Sequence, residues 1–346
     1  MSEYTREEIL KMIEENGGPR GLDLSGKDLS GIDLSKEAIA RELEKYQEEH
    51  PGKTPVWFSE GTGGINLMQA SLKSTELSGA NLRQCNLAFA DLREANCAKA
   101  NLERACLSIA NLREARLWSA NLQESTVNDA DLRGTNLADA DLQRAWLDGS
   151  NLQDANLHGA NLQEANLQRT HLENINLAEA QSLASVYLYN AFLRRTIIKA
   201  HQLGRKIGEE TDEEYLEAKE AYLSLKSNFN SLGRYDDASW AYIKERQMEK
   251  MTYHPKLAHK YYAKIDGLPQ GASPKSWTWW CFYVKYTLKW LWDWIIELSC
   301  GYGERPGNVV TGALAVLIVV FPFLYVLAGL APRSGQNLLP QDYFLL

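Results

Sequence analysis

Histidine and cysteine are the side chains that most often bind metals or act as nucleophiles, and their spacing here supports neither role. The chain has six His and five Cys, and none stands in a C-x-x-C or H-x₃-H pattern, so no metal site is predicted. His158 and His171 lack a Ser or Cys partner at a spacing typical of nucleophilic catalysis. The phosphate-binding motifs G-x-G-x-x-G and G-x-x-x-x-G-K-[ST] are absent. The sequence therefore predicts no enzyme, no cofactor and no metal.

The composition is that of an ordinary folded protein. The chain has 346 residues, of which 45% are hydrophobic and 24% charged, with a net charge of −8. An acidic balance gives no reason to expect a nucleic-acid partner. An odd number of Cys fits a reducing compartment better than a disulfide scaffold, and the polar start MSEYTREEILK is unlike a signal peptide.

A five-residue period organises the middle of the chain. From Leu67 to Leu177 an apolar residue recurs at 23 positions, and it is Leu at all but Cys97 and Val127. A small residue, most often Ala, stands two places earlier, and Asn or Asp usually lies between them. A helix repeats every 3.6 residues and a strand every two, so a period of five requires a corner in every unit. Such a unit cannot bury its own Leu, but a stack of coils can.

The A-(N/D)-L-x-x unit resembles that of the pentapeptide-repeat family. The resemblance implies a right-handed quadrilateral β-helix with four units per coil, here about six coils and about 28 Å long. The phase of the repeat identifies a separate first coil at Leu24, Leu29 and Leu34. The predicted N-terminal segments are a capping helix (1–19) with a Thr5…Glu8 capping box, the first coil (20–34), an inserted helix and loop (35–64), and the main β-helix (65–183).

Residues 20 apart lie on one face of such a rod. One column, here called the basic column, carries Lys73, Arg93, Arg113 and Arg133. It could bind an acidic partner or could be neutralised by neighbouring carboxylates such as Asp91 and Glu94, and the second interpretation is favoured. Exposed apolar side chains on other faces could dock a partner or could cover a flanking helix of the same chain, and the covering helix is favoured. Cys85 and Cys97 face inward and are expected to fill the core. The candidate partner-binding residues are Lys73, Arg93, Arg113, Arg133, Phe89, Ile109, Trp118 and Trp146.

Residues 184–276 are predicted to be a helical adaptor between the rod and a membrane. A first helix is expected from Ser185 to Ile207, and a capping box, Thr211…Glu214, should start the second. The segment that follows resembles a single tetratricopeptide hairpin. The residues that carry the resemblance are Tyr222, Leu225, Phe229, Gly233, Tyr235, Ala238 and Tyr242. The segment departs from that motif at Lys226 and Glu245, where small residues are usual.

The C-terminal part carries the signature of a membrane protein. Residues 309–331 are 23 uncharged positions, enough for a transmembrane helix, followed by a short tail (332–346). Segment 277–299 holds six of the ten Trp, and its four charges recur every fourth residue. It is predicted to be an interfacial helix, with a spanning helix as the alternative. The predicted interface residues are Trp277, Trp279, Trp280, Trp290, Trp292 and Trp294.

A second resemblance concerns ion channels. Residues 299–303 (SCGYG) resemble a potassium filter, but no earlier spanning helix is available for one. The segments SLGRYDDASWAYIKERQMEK and CGYGERPGNVV, followed by one span, resemble bacterial pentapeptide-repeat proteins with a two-span, potassium-channel-like pore domain. The filter and second span of that domain are missing here. The resemblance implies a truncated relative that kept the anchor.

The predicted fold class is β plus α, and the predicted function is a membrane-anchored scaffold that presents a β-helix to a protein partner. Positive flanking charges place the rod on the cytoplasmic side of a bacterial inner membrane. One alternative is a channel subunit that forms homo-oligomers through its membrane segment. Another is a DNA mimic that acts on a topoisomerase, although residues 65–183 carry 10 basic and 15 acidic residues without an acidic stripe. The expected partners are a protein and the lipid bilayer.

Overall fold

The structure, a computed structural model, describes residues 4–20, 22–51, 53, 55, 64–254, 257–262 and 277–300. The chain forms two compact units, Met1–Glu245 and Arg246–Leu346. The predicted segments 309–331 and 332–346 lie outside the described residues. Within the described ranges, no helix is both long and apolar enough to cross a bilayer. The helices are α1 (Arg6–Glu15), α2 (Lys36–Glu49), α3 (Gly208–Thr211), α4 (Tyr215–Ser231), α5 (Tyr235–Thr252), α6 (Ala258–Tyr262) and α7 (Trp277–Cys300).

Stacked coils joined by single-residue parallel bridges form the first unit. Asn66 bridges to Asn86, and the pairing of residues 20 apart repeats along the rod to Trp146 and Asn166. The first coil joins the same stack, because Asp23 bridges to Asn66 across the inserted segment. The spacing of four pentapeptides per coil is therefore confirmed.

The repeat unit has a direct chemical explanation, seen at Asn86, Leu87 and their neighbours. The Asn86 side-chain oxygen accepts the N–H of Ala88 at 3.2 Å, and its Nδ2 donates to Asn66 of the previous coil at 3.0 Å. The N–H of Ala90 then donates to the Leu87 carbonyl at 3.1 Å and closes the turn. Asn and Asp are thus favoured before the central Leu because they hold both the corner and the stack.

The interior is filled by the central Leu and the small residue two places before it. Leu87, Leu107 and Leu117 have no exposed surface, and neither has Ala95. Where Thr replaces Ala, its hydroxyl donates to a carbonyl of the previous coil, as from Thr135 to Leu112 at 2.8 Å. These hydrogen bonds satisfy a polar group that would otherwise be costly to bury.

The predicted Thr5…Glu8 capping box is present and begins α1. The side chain of Ser35 caps α2. Arg6 of α1 lies 2.7 Å from a Glu42 oxygen and donates to the Asp33 carbonyl of the first coil at 3.4 Å. Helix α1 therefore contacts the first coil, as expected of a cap at this end of the rod.

The predicted helix from Ser185 to Ile207 is wrong. Bridges continue past Leu183 to Tyr187, Phe192 and Ile197, and only a short 3₁₀ helix, Ala200–Leu203, follows. The bridged residues are 20 apart before position 181 and 21 apart after it. One extra residue shifts the phase of the repeat, which continues as Leu183, Leu188, Leu193 and Ile198.

Side chains from the following helical segment cover the last coil. The Glu209 carboxylate accepts the N–H groups of Leu188 and Tyr189 at 2.6 and 2.5 Å. Asn228 of α4 donates to the Thr196 carbonyl at 2.8 Å. These contacts satisfy backbone groups that another coil would otherwise pair, so the segment predicted as an adaptor also closes the rod.

Two details of the helical hairpin differ from the sequence predictions. Helix α4 begins after Glu214, and no side chain caps it, so the predicted Thr211…Glu214 capping box is wrong. Thr211 instead ends α3 and donates to the Ile207 carbonyl at 3.1 Å. Lys226 and Glu245, the two departures from the tetratricopeptide pattern, form an ion pair with each other. This ion pair links the two helices of the hairpin.

The second unit is built on the predicted Trp-rich helix, which the structure places at Trp277–Cys300. Within this unit Arg246 lies 2.9 Å from Asp293, and Lys250 pairs with Glu297. The Lys289 ammonium lies 3.8 Å from the centre of the Tyr253 ring. Much of the charged side of α7 therefore faces the end of α5.

The rod cysteines should differ in reactivity according to their burial. Burial raises the pKa of Cys85 to about 11 and that of Cys97 to about 12, so almost no thiolate forms at pH 8. We expect iodoacetamide to modify the half-buried Cys106 and the exposed Cys281 in the folded chain, but not Cys85 or Cys97. Mass spectrometry of peptides, with and without urea, measures this. Equal labelling of all four without urea would contradict the inward placement.

Candidate functional site

The cations of the basic column are mostly neutralised by neighbouring carboxylates. The guanidinium groups of Arg93 and Arg133 each lie 2.6 Å from the aspartate two residues earlier. Lys73 is 3.5 Å from Glu94. Arg113 has no ion pair within the part of the chain that the structure describes. The geometry therefore fits a solvated ladder better than an anion-binding surface.

The ionisation of this face agrees with that pairing. The side-chain hydrogen bond from Arg93 holds the pKa of Asp91 below its ordinary value, and the N–H of the same residue adds to the effect. Arg133 lowers the pKa of Asp131 in the same way. Both carboxylates thus stay ionised at neutral pH and keep the face electrically balanced.

Phe89 and Ile109 form an exposed apolar pair at one corner of the rod, here called the apolar corner. They are 51% and 49% exposed, and Trp146 on the adjacent row is 55% exposed. No helix among the described residues covers them. Trp118, on a different face, is 37% exposed and lies under the Lys99 ammonium at 4.7 Å.

The backbone at the apolar corner is unfavourable for the residues it carries. Both Phe89 and Ile109 have φ of 60°, in the left-handed region that β-branched residues strongly avoid. The same corner of other coils carries Gln69, Asp129, Gly149 and Arg169. The fold therefore accepts polar residues or glycine here, and it has no need of Phe or Ile.

Replacing Ile109 by asparagine should stabilise the protein slightly. Asparagine tolerates the left-handed conformation, whereas isoleucine there costs about 1–2 kcal/mol. Loss of a half-buried side chain offsets about 1 kcal/mol of that gain. We expect Ile109→Asn to raise the free energy of unfolding by about 0.5 kcal/mol, measured by urea denaturation.

The matched control is Ile197→Asn. Ile197 is 44% exposed but lies at a bridge position in ordinary extended backbone, so its replacement should lower the free energy of unfolding by about 1 kcal/mol. Equal destabilisation of both variants would contradict the prediction that Ile109→Asn relieves backbone strain.

The predicted interface residues of α7 are only partly described. The side chains of Trp277, Trp279 and Trp280 lie outside the described residues. Trp292 and Trp294 are 49% and 47% exposed, while Asp293 between them is 5% exposed. This helix therefore turns aromatic side chains outward and a carboxylate inward, which is unusual for a helix in water.

Sequence reasoning missed a group of residues around Trp146. Tyr187 occupies the bridge position above Asn166, in the same column as Trp146, and its hydroxyl donates to Asp212 at 2.8 Å. Following the five-residue period past position 183, with the one-residue shift that makes Leu188 a central residue, would have placed Tyr187 in that column. The proximity of Asp212 depends on tertiary structure and has no signal in the sequence.

The described side chains form no metal centre. In the ranges that the structure describes, no group of three or more His, Cys, Asp and Glu side chains is placed to hold a metal ion. His158 contacts Glu179 at 2.9 Å on an exposed face.

The repeat geometry is matched by a family model. The model described as "Pentapeptide repeats" matches eight copies within residues 63–197. The chain belongs to the pentapeptide-repeat family. The match begins one residue before the described rod resumes at Gly64 and ends at Ile197, the last bridged residue. It thus covers the coils up to the C-terminal cap and leaves the first coil and the second unit outside.

Solved pentapeptide-repeat structures are similar to this chain. HetL from the cyanobacterium Nostoc sp. strain PCC 7120, described as involved in heterocyst differentiation regulation, is 25% identical. That similarity covers 59% of this chain and 99% of HetL, with a TM-score of 0.24. Rfr23 from the cyanobacterium Cyanothece 51142 is 25% identical over 43% of this chain and 89% of Rfr23, with a TM-score of 0.21.

A third structure, a pentapeptide-repeat protein from Nostoc PCC 7120, is 30% identical. The similarity covers 34% of this chain and 84% of that protein, with a TM-score of 0.15. No curated protein is significantly similar to the chain. At these TM-scores no shared activity follows.

Proposed function

We propose that the chain is a membrane-anchored scaffold whose β-helix presents apolar side chains to a protein partner. The apolar corner supports this proposal. Phe89 and Ile109 stand one coil apart, about half exposed, in a backbone conformation that opposes them. Strained residues that folding does not require are most often retained for function. A protein surface that buries both side chains would supply that function.

Protein interfaces commonly centre on large apolar side chains surrounded by polar groups. The apolar corner has this composition, because Gln69 and Asp129 occupy the same column on either side of the pair. The charged columns of other faces are largely paired internally. The apolar corner is therefore a surface that would gain from burial by a partner.

The proposed anchor uses the Trp-rich helix and the uncharged segment 309–331. Helix α7 exposes Trp292 and Trp294, and Trp prefers the headgroup level of a bilayer. Segment 309–331 has the length and composition of a spanning helix. The excess of Lys and Arg before α7 supports a cytoplasmic rod at a bacterial inner membrane.

Site-specific photocrosslinking tests the scaffold. A benzoylphenylalanine placed at Phe89 of the full chain, in native membranes, should give a discrete adduct with one protein on irradiation. The same group at Gln143, a turn residue on another face, is the control. Ile109→Asn should abolish the Phe89 adduct because it removes the adjacent contact. Identical adducts from both positions, or none from Phe89, would argue against the proposal.

Membrane fractionation tests the anchor separately. The full chain should sediment with membranes, resist extraction by carbonate and dissolve in mild detergent. Removal of residues 309–346 should release it. A full chain that remains in the supernatant without detergent would exclude the anchor while leaving the crosslinking result to decide the partner.

A further inference from the structure

A cleft opens beside Trp146, between the rod and the short helix α3. Its volume is about 920 Å³, at the upper end of the range for binding sites. The residues that line it include Glu124, Trp146, Gln168, Tyr187, Asp212 and Glu214. One wall of the cleft is therefore formed by the coils, and the other by the helical segment that covers the last coil.

The coil wall of the cleft follows the axis of the rod. Glu124, Arg144, Glu164 and Ser185 line it and belong to four successive coils. At about 4.8 Å per coil, these residues span about 14 Å. An extended peptide covers that distance with about four residues. The cleft is thus long enough for a peptide segment rather than for a single small ion.

Trp146 is the unusual residue of this wall. The bridge positions of its column carry Asn66, Asn86, Cys106, Thr126 and Asn166, and Tyr187 follows in the coil beyond Asn166. Trp146 is 55% exposed and lines the cleft. A large exposed ring with Asn or Thr in the coils on either side serves contact with a ligand better than it serves stacking of the coils.

The opposite wall is held in place by a close contact. A Cβ added at Gly208 would lie 2.5 Å from ring atoms of Tyr187, so glycine allows the ring and α3 to meet. Burial raises the pKa of Tyr187, and its hydrogen bond to Asp212 adds to the effect. The phenol therefore stays protonated and keeps donating to Asp212 at 2.8 Å.

Carboxylates without a paired cation make the cleft negatively charged. Glu164 pairs with Arg144 at 2.7 Å, and Glu124 pairs with Arg104 at 2.7 Å. Asp212 and Glu214 are exposed and have no ion-pair partner among the residues described. Aromatic rings beside carboxylates attract guanidinium and ammonium groups, and they repel phosphates.

We propose that this cleft binds a basic peptide segment, whose cationic side chains contact the ring of Trp146 and the carboxylates of Asp212 and Glu214. The inference rests on the proposed scaffold function and gives the chemistry of one partner. The apolar corner and the Trp146 cleft would then be separate contacts on one rod.

Fluorescence anisotropy of the purified full chain tests the cleft. The probe is a fluorescein-labelled octapeptide of alternating arginine and serine, and the control peptide alternates glutamate and serine, both at about 0.15 M salt. Trp146→Asn should weaken binding of the basic peptide roughly fivefold to thirtyfold, and the glutamate peptide should not bind. Asn already occupies position 166 of the same column, so the coil tolerates this change.

Matched variants separate the cleft from the general negative charge. Asp212→Asn with Glu214→Gln should also weaken binding severalfold, whereas Asp139→Asn with Asp154→Asn removes the same charge elsewhere and should have less than a twofold effect. Trp118→Asn is the control for Trp146. Equal effects of the two Trp variants, equal effects of the two charge pairs, or no binding of the basic peptide would overturn the proposal. The Phe89 crosslink should survive Trp146→Asn, so failure here differs from failure of the scaffold.

Discussion

Replacing Leu117 by alanine should lower the free energy of unfolding by about 3 kcal/mol. Leu117 has no exposed surface, and its truncation leaves a cavity in the middle of the rod. Bridges from Arg116 to Asn96 and to Asn136 fix the backbone on both sides, so the coils cannot easily close the space. Urea denaturation followed by circular dichroism measures the loss.

The control for that variant is Leu216→Ala in α4. Leu216 is 37% exposed, so the same chemical change there removes less burial and should lower the free energy of unfolding by about 1 kcal/mol. Equal losses at the two positions would show that the rod relaxes around the cavity. In a stack of repeats the loss should also appear as earlier unfolding of the coils next to Leu117.

Replacing Glu209 by alanine should lower the free energy of unfolding by about 3 kcal/mol and expose the last coil first. The N–H groups of Leu188 and Tyr189 both donate to this carboxylate and would lose their acceptor in a buried place. Each unsatisfied group costs about 1–3 kcal/mol. Hydrogen exchange at these two amides should accelerate far more than at Leu107 in the middle of the rod.

Glu209→Gln separates the hydrogen bonds from the charge. The glutamine oxygen can still accept both N–H groups, so the large loss should not occur. Burial raises the pKa of Glu209, which means that the folded state binds its proton more readily than the unfolded state does. This carboxyl therefore opposes folding increasingly as the pH rises from about 4.5. The glutamine variant should be at least as stable as the original chain at pH 7, and its stability should vary less with pH. A loss at pH 7 as large as that of Glu209→Ala would contradict this account.

The rod could be predicted from sequence because each unit repeats the same local chemistry. Asn86, Leu87 and Ala90 show why Asn or Asp, Leu and Ala recur, and the capping residues Thr5 and Ser35 are equally local signals. The boundary after Leu183 was missed because one inserted residue changed the phase while the period itself continued. A local insertion of this kind leaves the coils intact, since it only lengthens one corner.

The candidate surfaces were less accessible from sequence. Periodicity identified Phe89, Ile109 and Trp146 as outward residues, but whether a helix of the same chain covered them depended on tertiary structure. The neutralisation of Arg93 and Arg133 could be anticipated because their partners lie two residues away. The approach of Asp212 to Tyr187 depends on how α3 crosses the last coil, which no local pattern specifies.

The way in which the first coil joins the stack bears on the order in which the rod folds. Most bridges close loops of 20 residues, but Asp23 pairs with Asn66 across 43. Doubling the loop adds about 0.6 kcal/mol of closure entropy. During synthesis the first coil leaves the ribosome early but has no neighbour to pair with until Glu76, the partner of Asp33, has followed it. The N-terminal coil is therefore made first but can join the stack only after the inserted segment and the coil that follows it have been synthesised.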